Sequence, residues 1–488
     1  MRDRKYLEEI VGKGHVIDSE EILDEFSRDE SFANHVRPRY VVRPHSADEI
    51  QKLVTWANET GTPLVPVSSG PPHFRGDTVP GTGGAVVVDL TGMKRIIRID
   101  PENRIAIVEP GVTFADLIPE LKINHLRLNM PLIPRNSKSI MGSLLEREPV
   151  VMPRYHWDLT DPLVCTEIIY GSGDLFRTGS AAGPGTLEEQ WESGAAQNEA
   201  SGPVQADFSR LIQGAQGTMG IATWVSIRCE QLPVLEEPFL VGSSSLDKLL
   251  ELTRLLVNGR LVDECLILNS TNLAYIMGRE ESPDYARFKA ALPEWVLFYS
   301  ISGGRYYPEE KVRYQMRDIS EHAMSYRLEP LRQIGEVSAF DLLGILHGPP
   351  EGSYWKLRPK GSFYDLFFLT TGDRVSGQYG KMRDMAGREG YPVSHMGVYI
   401  QPQVQGVCYH CEYSLYFDPG LPTESGAVRD LSTAALHPLA EAGAFFSRPY
   451  GPWADFAYRR DGQTTMGLQK VKKIFDPNHI MNPGKLCF

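Results

Sequence analysis

The chain has 488 residues, 42% of them hydrophobic, with a formal net charge of −12 and an isoelectric point near 5.6. At ~100–200 residues per domain, that length implies two to four folding units, and the acid excess disfavours a nucleic-acid partner, which needs a basic face. The opening segment is charged and no run of about 18 apolar residues occurs, so neither a secretory signal nor a membrane span is expected, and the cytoplasm is the expected location.

In chain order, short helices are expected near residues 3–12 and 19–28, then a strand over 39–44. Ser46, with Glu49 three residues later, is a capping signature for a helix running to about Asn58. The apolar run 63–67 reads as a buried strand, and Ser68, Ser69, Gly70, Pro71, Pro72 and His73 follow it with small side chains and a permissive glycine. Successive backbone N–H groups in such a loop make an anion site without a lysine; the same residues also suit an ordinary turn between strands. The Gly-x-x-x-x-Gly-Lys-Ser/Thr spacing of a phosphoryl-transfer loop is absent.

Further strands are expected at 85–90, 95–99, 105–108, 163–170 and 221–229, with a capped helix near 113–121. Residues 233–238, bounded by prolines, read as a linker. Beyond it come a helix over 246–257 and strands near 261–269, 296–302, 363–370, 395–401 and 407–417, which suggests a sheet with helices against it. The end of the chain reads as a helix over 467–474 stopped by two prolines and a glycine turn.

Six cysteines are present and only Cys408 and Cys411 are close in sequence. No four have iron–sulfur spacing, so any such cluster belongs to another subunit. Cys408-Tyr-His-Cys411 lies in an alternating apolar run without a second pair, which favours a structural role, and no bound metal is expected.

Taken in order, "RPRYVVRPHSADEI", "PVSSGPP", "VEPGVTFADL", "GSLLERE", "EIIYGSGDLFRTG", "GTMGIAT" and "FDPNHIMNPGK" resemble the FAD-binding fold of the vanillyl-alcohol oxidase and p-cresol methylhydroxylase flavoproteins over nearly the whole chain. The pattern looks closer to the 4-alkylphenol-oxidising branch than to the glycolate and lactate dehydrogenase branch. The resemblance implies an α+β architecture. An FAD-binding part of two α/β subdomains is expected over 1–233, a substrate-binding cap with an antiparallel sheet flanked by helices over 234–440, and a segment returning to the FAD-binding part over 441–488.

It also implies roles for single residues. Ser68, Ser69, Gly70, Pro71 and Pro72 match the loop that binds the FAD diphosphate. Met141, Gly142 and Ser143 match a segment beside the flavin, Gly217, Gly220, Ile221 and Thr223 a second flavin-contacting turn, and Lys485 the closing turn of the site. Arg448 and Tyr450 lie where the family clamps an anionic substrate, and His410, on one strand face with Glu412, is the preferred base or flavin-side hydrogen-bond partner because imidazole titrates near working pH. Tyr354, Trp355, Tyr399 and Tyr413 are candidates for the cavity wall. His73 sits near a position where some relatives tether flavin, but the phenol branch's cap attachment residue has no clear match, so noncovalent FAD is expected.

One departure stands out. Where the phenol-oxidising enzymes carry an acidic residue beside the flavin, this chain reads Pro131-Leu-Ile-Pro134-Arg135-Asn136. The expected function is FAD-dependent removal of a hydride from a benzylic or alcohol carbon of a small phenolic substrate. Electrons would leave to oxygen or to a partner such as an iron–sulfur or cytochrome subunit, and a homo-oligomer is expected. Two other readings stay open: a 2-hydroxy-acid dehydrogenase coupled to an electron-transfer flavoprotein, with Arg448 or Arg135 on the carboxylate, and a non-catalytic flavin-binding subunit, which the missing carboxylate would explain.

Overall fold

Three sheets organise the chain in a computed structural model that describes residues 2–154, 162–202, 207–278 and 285–488. The first has the order Val16–Ile17, Tyr40–Val42, Val86–Asp89, Leu64–Val67, and its last three strands are parallel. Continuous valine and leucine runs suit parallel strands covered on both faces. The helix Ala47–Thr60 covers one face through Ile50, Leu53, Val54 and Trp56; the Ser46 hydroxyl accepts from the Glu49 N–H at 3.2 Å, as the sequence pattern implied.

The second sheet is antiparallel, in the order Ile96–Asp100, Ile105–Val108, Gly220–Arg228, Leu163–Tyr170, Leu175–Arg177. Against it packs the helix Phe114–Ile123, which Thr113 and Asp116 cap reciprocally. The third sheet has seven antiparallel strands, in the order Pro330–Leu331, Leu235–Ser243, Trp295–Gly303, Glu264–Asn269, Met396–Gln403, Cys408–Phe417, Ser362–Thr370. This is the cap sheet of the expected α+β fold. Alternation along its strands separates two faces. Cys265, Leu297, Leu366, Ile400 and Tyr413 face a core with the helices Leu246–Asn258, Pro308–Ser325, Val375–Arg388 and Pro422–Ala434. Leu266, Phe298, Phe363 and Tyr399 face the other way, towards Val151, Phe74 and Leu132 of the first half.

The expected linker over 233–238 is instead largely strand. Leu235–Ser243 pairs along its whole length with Trp295–Gly303, but on its other side only Leu240 and Val241 are paired. Pro238 therefore sits where no N–H is needed, and its carbonyl accepts from Arg332 Nη1 at 2.8 Å. The last long helix, Gly462–Phe475, starts earlier than expected because the Asp461 carboxylate accepts from the N–H groups of Gln463 and Thr464. After it the chain rejoins the first sheet: Leu64 donates to Ile480 at 2.7 Å and accepts from Asn482 at 2.8 Å. Asp476 holds that turn by accepting from the N–H groups of Ile480 and Met481, at 3.0 and 2.9 Å.

All six cysteines are free thiols. Cys408 and Cys411, three apart on one strand, point to opposite faces. Among the described residues no helix is long and apolar enough to cross a membrane.

Candidate active site

A cleft runs from the loop after Leu64–Val67 to the first-half face of the cap sheet and holds about 1600 Å³ of empty space, its solvent-open part included. Ser68 and Ser69 line it from the loop, Met141 and Gly142 from the helix Ile140–Leu145, and Gly217, Gly220 and Ile221 from the turn entering Gly220–Arg228. Arg448 and Tyr450 line it from the segment that follows the cap.

The close approach of these walls depends on glycine. Gly217 has φ +71°, and a Cβ there would lie 2.5 Å from Pro66 Cγ. A Cβ on Gly142 would stand 3.1 Å from the Oγ atoms of both Ser68 and Ser69, where the helix Ile140–Leu145 meets the loop.

The other expected residues lie behind the wall. Gly70 spends its N–H on Ser137 O at 2.9 Å, and Pro71 O accepts from the Ser137 hydroxyl at 2.8 Å. Pro72 follows Pro71 in a cis peptide and, like it, has no N–H to offer an anion. Ser143 Oγ donates to Glu148 at 2.6 Å, Thr223 Oγ1 to Glu167 at 2.7 Å, and Lys485 Nζ to Gly76 O at 2.7 Å, where burial lowers the lysine's pKa. His410 is buried beneath Glu412, its Nε2 3.5 Å from Glu412 Oε2. Burial lowers its pKa to about 4 despite the neighbouring carboxylate, so the imidazole is neutral at neutral pH and does not titrate in the working range anticipated for a base. Tyr354 and Tyr399 line the cleft; Trp355 packs behind it, and Tyr413 faces the opposite core.

Sequence reasoning did not foresee how charged the cleft is. Pro131, Leu132, Pro134 and Arg135 line it without an acid, as the departure suggested, but carboxylates arrive from other segments: Asp77, Glu146, Glu148, Asp365 and Glu412. Arg75 Nη1 meets Glu146 at 2.7 Å, and Lys138 Nζ meets Glu146 at 2.6 Å and Glu148 at 3.4 Å. Burial opposes ionisation of Glu148, but Lys138 and Arg75 outweigh it and hold its pKa near 2. Asp77 has a pKa raised to about 6, by burial first and Glu146 second. His73 also lines the cleft, and burial with Arg135 and Lys138 nearby lowers its pKa to about 3.

At the cap end Lys356 Nζ lies 2.7 Å from Asp365 Oδ2 and 2.6 Å from Glu412 Oε1. Burial and Glu412 raise the Asp365 pKa; burial pushes Glu412 the same way, but Lys356 and His410 bring it well below the usual carboxylate range. Environments that separate two carboxylates in this way are the usual basis of an acid/base pair. The signal that could have found them is alternation: Phe363 and Asp365 on one strand and His410 and Glu412 on its neighbour share the face that looks into the cleft.

The residues suit FAD. Val67, Leu90, Met141, Met219 and Ile221 offer apolar walls for planar rings, while hydroxyls and cations supply partners for a diphosphate. Elsewhere, Glu236, Glu264 and His347 form the one group of three metal-capable side chains among the described residues, and Arg127 already occupies Glu236 at 2.6 Å.

Comparison with known proteins agrees with this geometry. A family model described as an FAD binding domain matches residues 38–179. The flavoprotein subunit of 4-cresol dehydrogenase (hydroxylating) from Pseudomonas putida is 30% identical over 92% of this chain and 87% of its own. The mitochondrial D-lactate dehydrogenase (cytochrome) of Arabidopsis thaliana is 22% identical over 92% of this chain and 73% of its own. A crystal structure of p-cresol methylhydroxylase with substrate bound superposes with a TM-score of 0.82 at 18% identity, covering 100% of this chain and 96% of that one. The arrangement of cleft, cap and loop thus belongs to a shared design, and the chain is a member of the vanillyl-alcohol oxidase and p-cresol methylhydroxylase family of FAD-linked oxidoreductases.

Proposed function

We propose that this protein oxidises a small phenol at a benzylic or alcohol carbon, with Arg448 and Tyr450 holding the phenolate oxygen. The observation that carries the reading is the Arg448 guanidinium: it is buried in the cleft wall, lies 4.3 Å over the Phe367 ring, and has no carboxylate within ion-pair distance among the described residues. Its recorded hydrogen bond goes to the Glu146 carbonyl at 3.4 Å. A guanidinium desolvated in this way is poised for an anion. Burial, with Glu146 beside it, raises the Tyr450 pKa and keeps its hydroxyl a neutral donor.

Bound FAD supplies the hydride acceptor. The chain's own residues orient the substrate, exclude water and move protons. Phe74, Tyr354 and Phe363 make an aromatic wall, with Phe74 and Phe363 4.6 Å apart between centroids. Asp365, whose pKa is the raised one of its pair, takes the proton of a benzylic hydroxyl; Lys356 and Glu412 position it, and His410 acts through Glu412. The relative named for 4-cresol supports a phenolic substrate. A 2-hydroxy-acid substrate is the second reading, favoured by Arg135, another cleft guanidinium with no carboxylate ion-pair partner among the described residues. FAD is held without a covalent bond, and acid precipitation should therefore leave the flavin in the supernatant. Electrons leave to an acceptor outside the chain, a partner protein or oxygen.

Anaerobic addition of 4-ethylphenol should bleach the flavin while D-lactate and glycolate do not; the reverse would sink the phenol reading. Arg448→Ala should weaken phenol binding about tenfold or more, as loss of a hydrogen bond to a charged group does, with FAD content retained. Equal loss of FAD and phenol would make Arg448 a structural residue.

A further inference from the structure

We propose that the substrate carries a second anionic group, a carboxylate at the end of the side chain para to its phenol, and that Arg135 receives it. The inference rests on the phenol reading above and narrows it to one chemical class.

The first argument is charge accounting. Five cations line the cleft: Arg75, Arg135, Lys138, Lys356 and Arg448. Arg75 and Lys138 are paired with Glu146 and Glu148, and Lys356 with Asp365 and Glu412. Arg448 and Arg135 have no such partner among the described residues. Arg448 is assigned to the phenolate, which leaves Arg135 as the cleft guanidinium with neither a direct ion-pair partner among the described residues nor an assigned ligand, although Glu146 and Glu148 act on it from further off.

The second argument is what Arg135 touches. Its Nε donates to Ser137 Oγ at 3.2 Å and its Nη2 to the Gly70 carbonyl at 3.1 Å. Both acceptors are neutral, and Nη1 makes no hydrogen bond within the described residues. Burial lowers the pKa of the group, against the more distant pull of Glu146 and Glu148. A buried cation with no carboxylate in direct contact among the described residues gains from a counter-charge that arrives with the ligand. A guanidinium with one corner free matches a carboxylate better than a neutral group, because the charged hydrogen bond is the stronger one.

The third argument is location. The Arg135 guanidinium stands 5.8 Å over the Phe74 ring, which packs against Phe363 and Tyr354 of the cap. The Trp355 indole N–H reaches Ile133 O at 3.2 Å, and Asn136 Nδ2 reaches Gly352 O at 3.5 Å. Arg135 thus sits at the seam between the first half and the aromatic cap wall, where a substrate side chain would leave the ring pocket. The competing anion is the FAD diphosphate, since Gly70 belongs to the loop expected to hold it.

The test uses the holoprotein and follows perturbation of the flavin spectrum by 4-ethylphenol and by 3-(4-hydroxyphenyl)propionate. The acid should bind about tenfold tighter than the alkylphenol. Arg135→Gln should remove that preference, leaving 4-ethylphenol binding and FAD content within about twofold, and Arg135→Lys should restore part of it. Arg135→Lys also keeps the test open if the glutamine variant does not fold. No preference for the acid, equal weakening of both ligands, or loss of FAD in the variants would overturn the assignment; the last would give Arg135 to the diphosphate. If neither phenol perturbs the flavin, the phenol reading itself has failed, which is distinguishable from a protein that binds 4-ethylphenol alone.

Discussion

Two buried charged clusters share one face of the cap sheet and differ in how their charge is closed. At one end Glu236 and Glu264 meet Arg127 and His347. Arg127 Nη1 is 2.6 Å from Glu236, His347 Nε2 is bonded to Glu264, and Ser300 Oγ donates to Glu264 at 3.1 Å. Arg127 and, when protonated, His347 answer Glu236 and Glu264, with Asp263 also near Arg127, and because Arg127 comes from the short strand Leu126–Arg127, the cluster ties the first half to the cap. At the other end Lys356 alone answers Asp365 and Glu412, beside a neutral His410, and the group opens into the cleft. A closed cluster is a strut; an open one keeps a protonation state to change. Buried ionic groups are weak grounds for stability on their own, so it is the unfinished charge balance that marks the second cluster as chemical.

The comparison can be broken first at Lys356. Lys356→Met leaves two buried carboxylates without a cation, and denaturant unfolding should show a loss of about 3–5 kcal/mol. Adding Glu412→Gln should recover part of it. A variant as stable as the parent would mean that the pair shares a proton without the lysine's help. Arg127→Met should cost less, roughly 1.5–3 kcal/mol, because His347 still faces both carboxylates, and phenol binding should be unchanged. If that variant lost phenol binding as well, the strut and the site would not be separable.

The smallest effect is a pH dependence. Burial works against the His347 imidazolium, but Glu264 and Glu236 carry its pKa above the ordinary 6.5, with Arg127 opposing. A group whose folded pKa is raised gives stability that is fully present below the unfolded value and is lost as pH rises through the folded one. Stability should therefore decline above about pH 6.5, by at most about 1.4 kcal/mol per pH unit for one proton. Glu264, with Asp263 also near Arg127, works in the other sense, since its depressed pKa removes stability on acidification. His347→Gln should flatten the alkaline limb and also weaken the acid one, since His347 is the first of the groups that depress Glu264; an unchanged alkaline limb in that variant would assign the slope to another group.

Much of the frame was legible in sequence. Ile105–Val108 and Leu163–Tyr170 are apolar runs long enough to be buried strands, and Thr113 with Asp116 announces a helix start. The loop at Ser68 and Ser69 was found through its small residues and its resemblance to relatives. The misread linker at 233–238 shows the limit of local signals, since Pro238 is tolerated only because its strand is unpaired on one side there. The charged clusters were harder to read for a different reason. Lys356, Asp365 and Glu412 come from separate segments, as do Arg127, Glu236, Glu264 and His347, and single charged residues in a strand pattern look like solvent-facing positions until the sheet's two faces are known.

The pairing of Leu64 with Ile480 and Asn482 bears on biosynthesis. The strand that presents Ser68 and Ser69 is completed by backbone from the far end of the chain, and Lys472 bonds to the Met481 and Thr218 carbonyls beneath it. A nascent chain lacks that support until residues 472–482 have emerged. Completing the strand beneath Ser68 and Ser69 therefore waits for residues 472–482 to be made, however early the loop itself is synthesised.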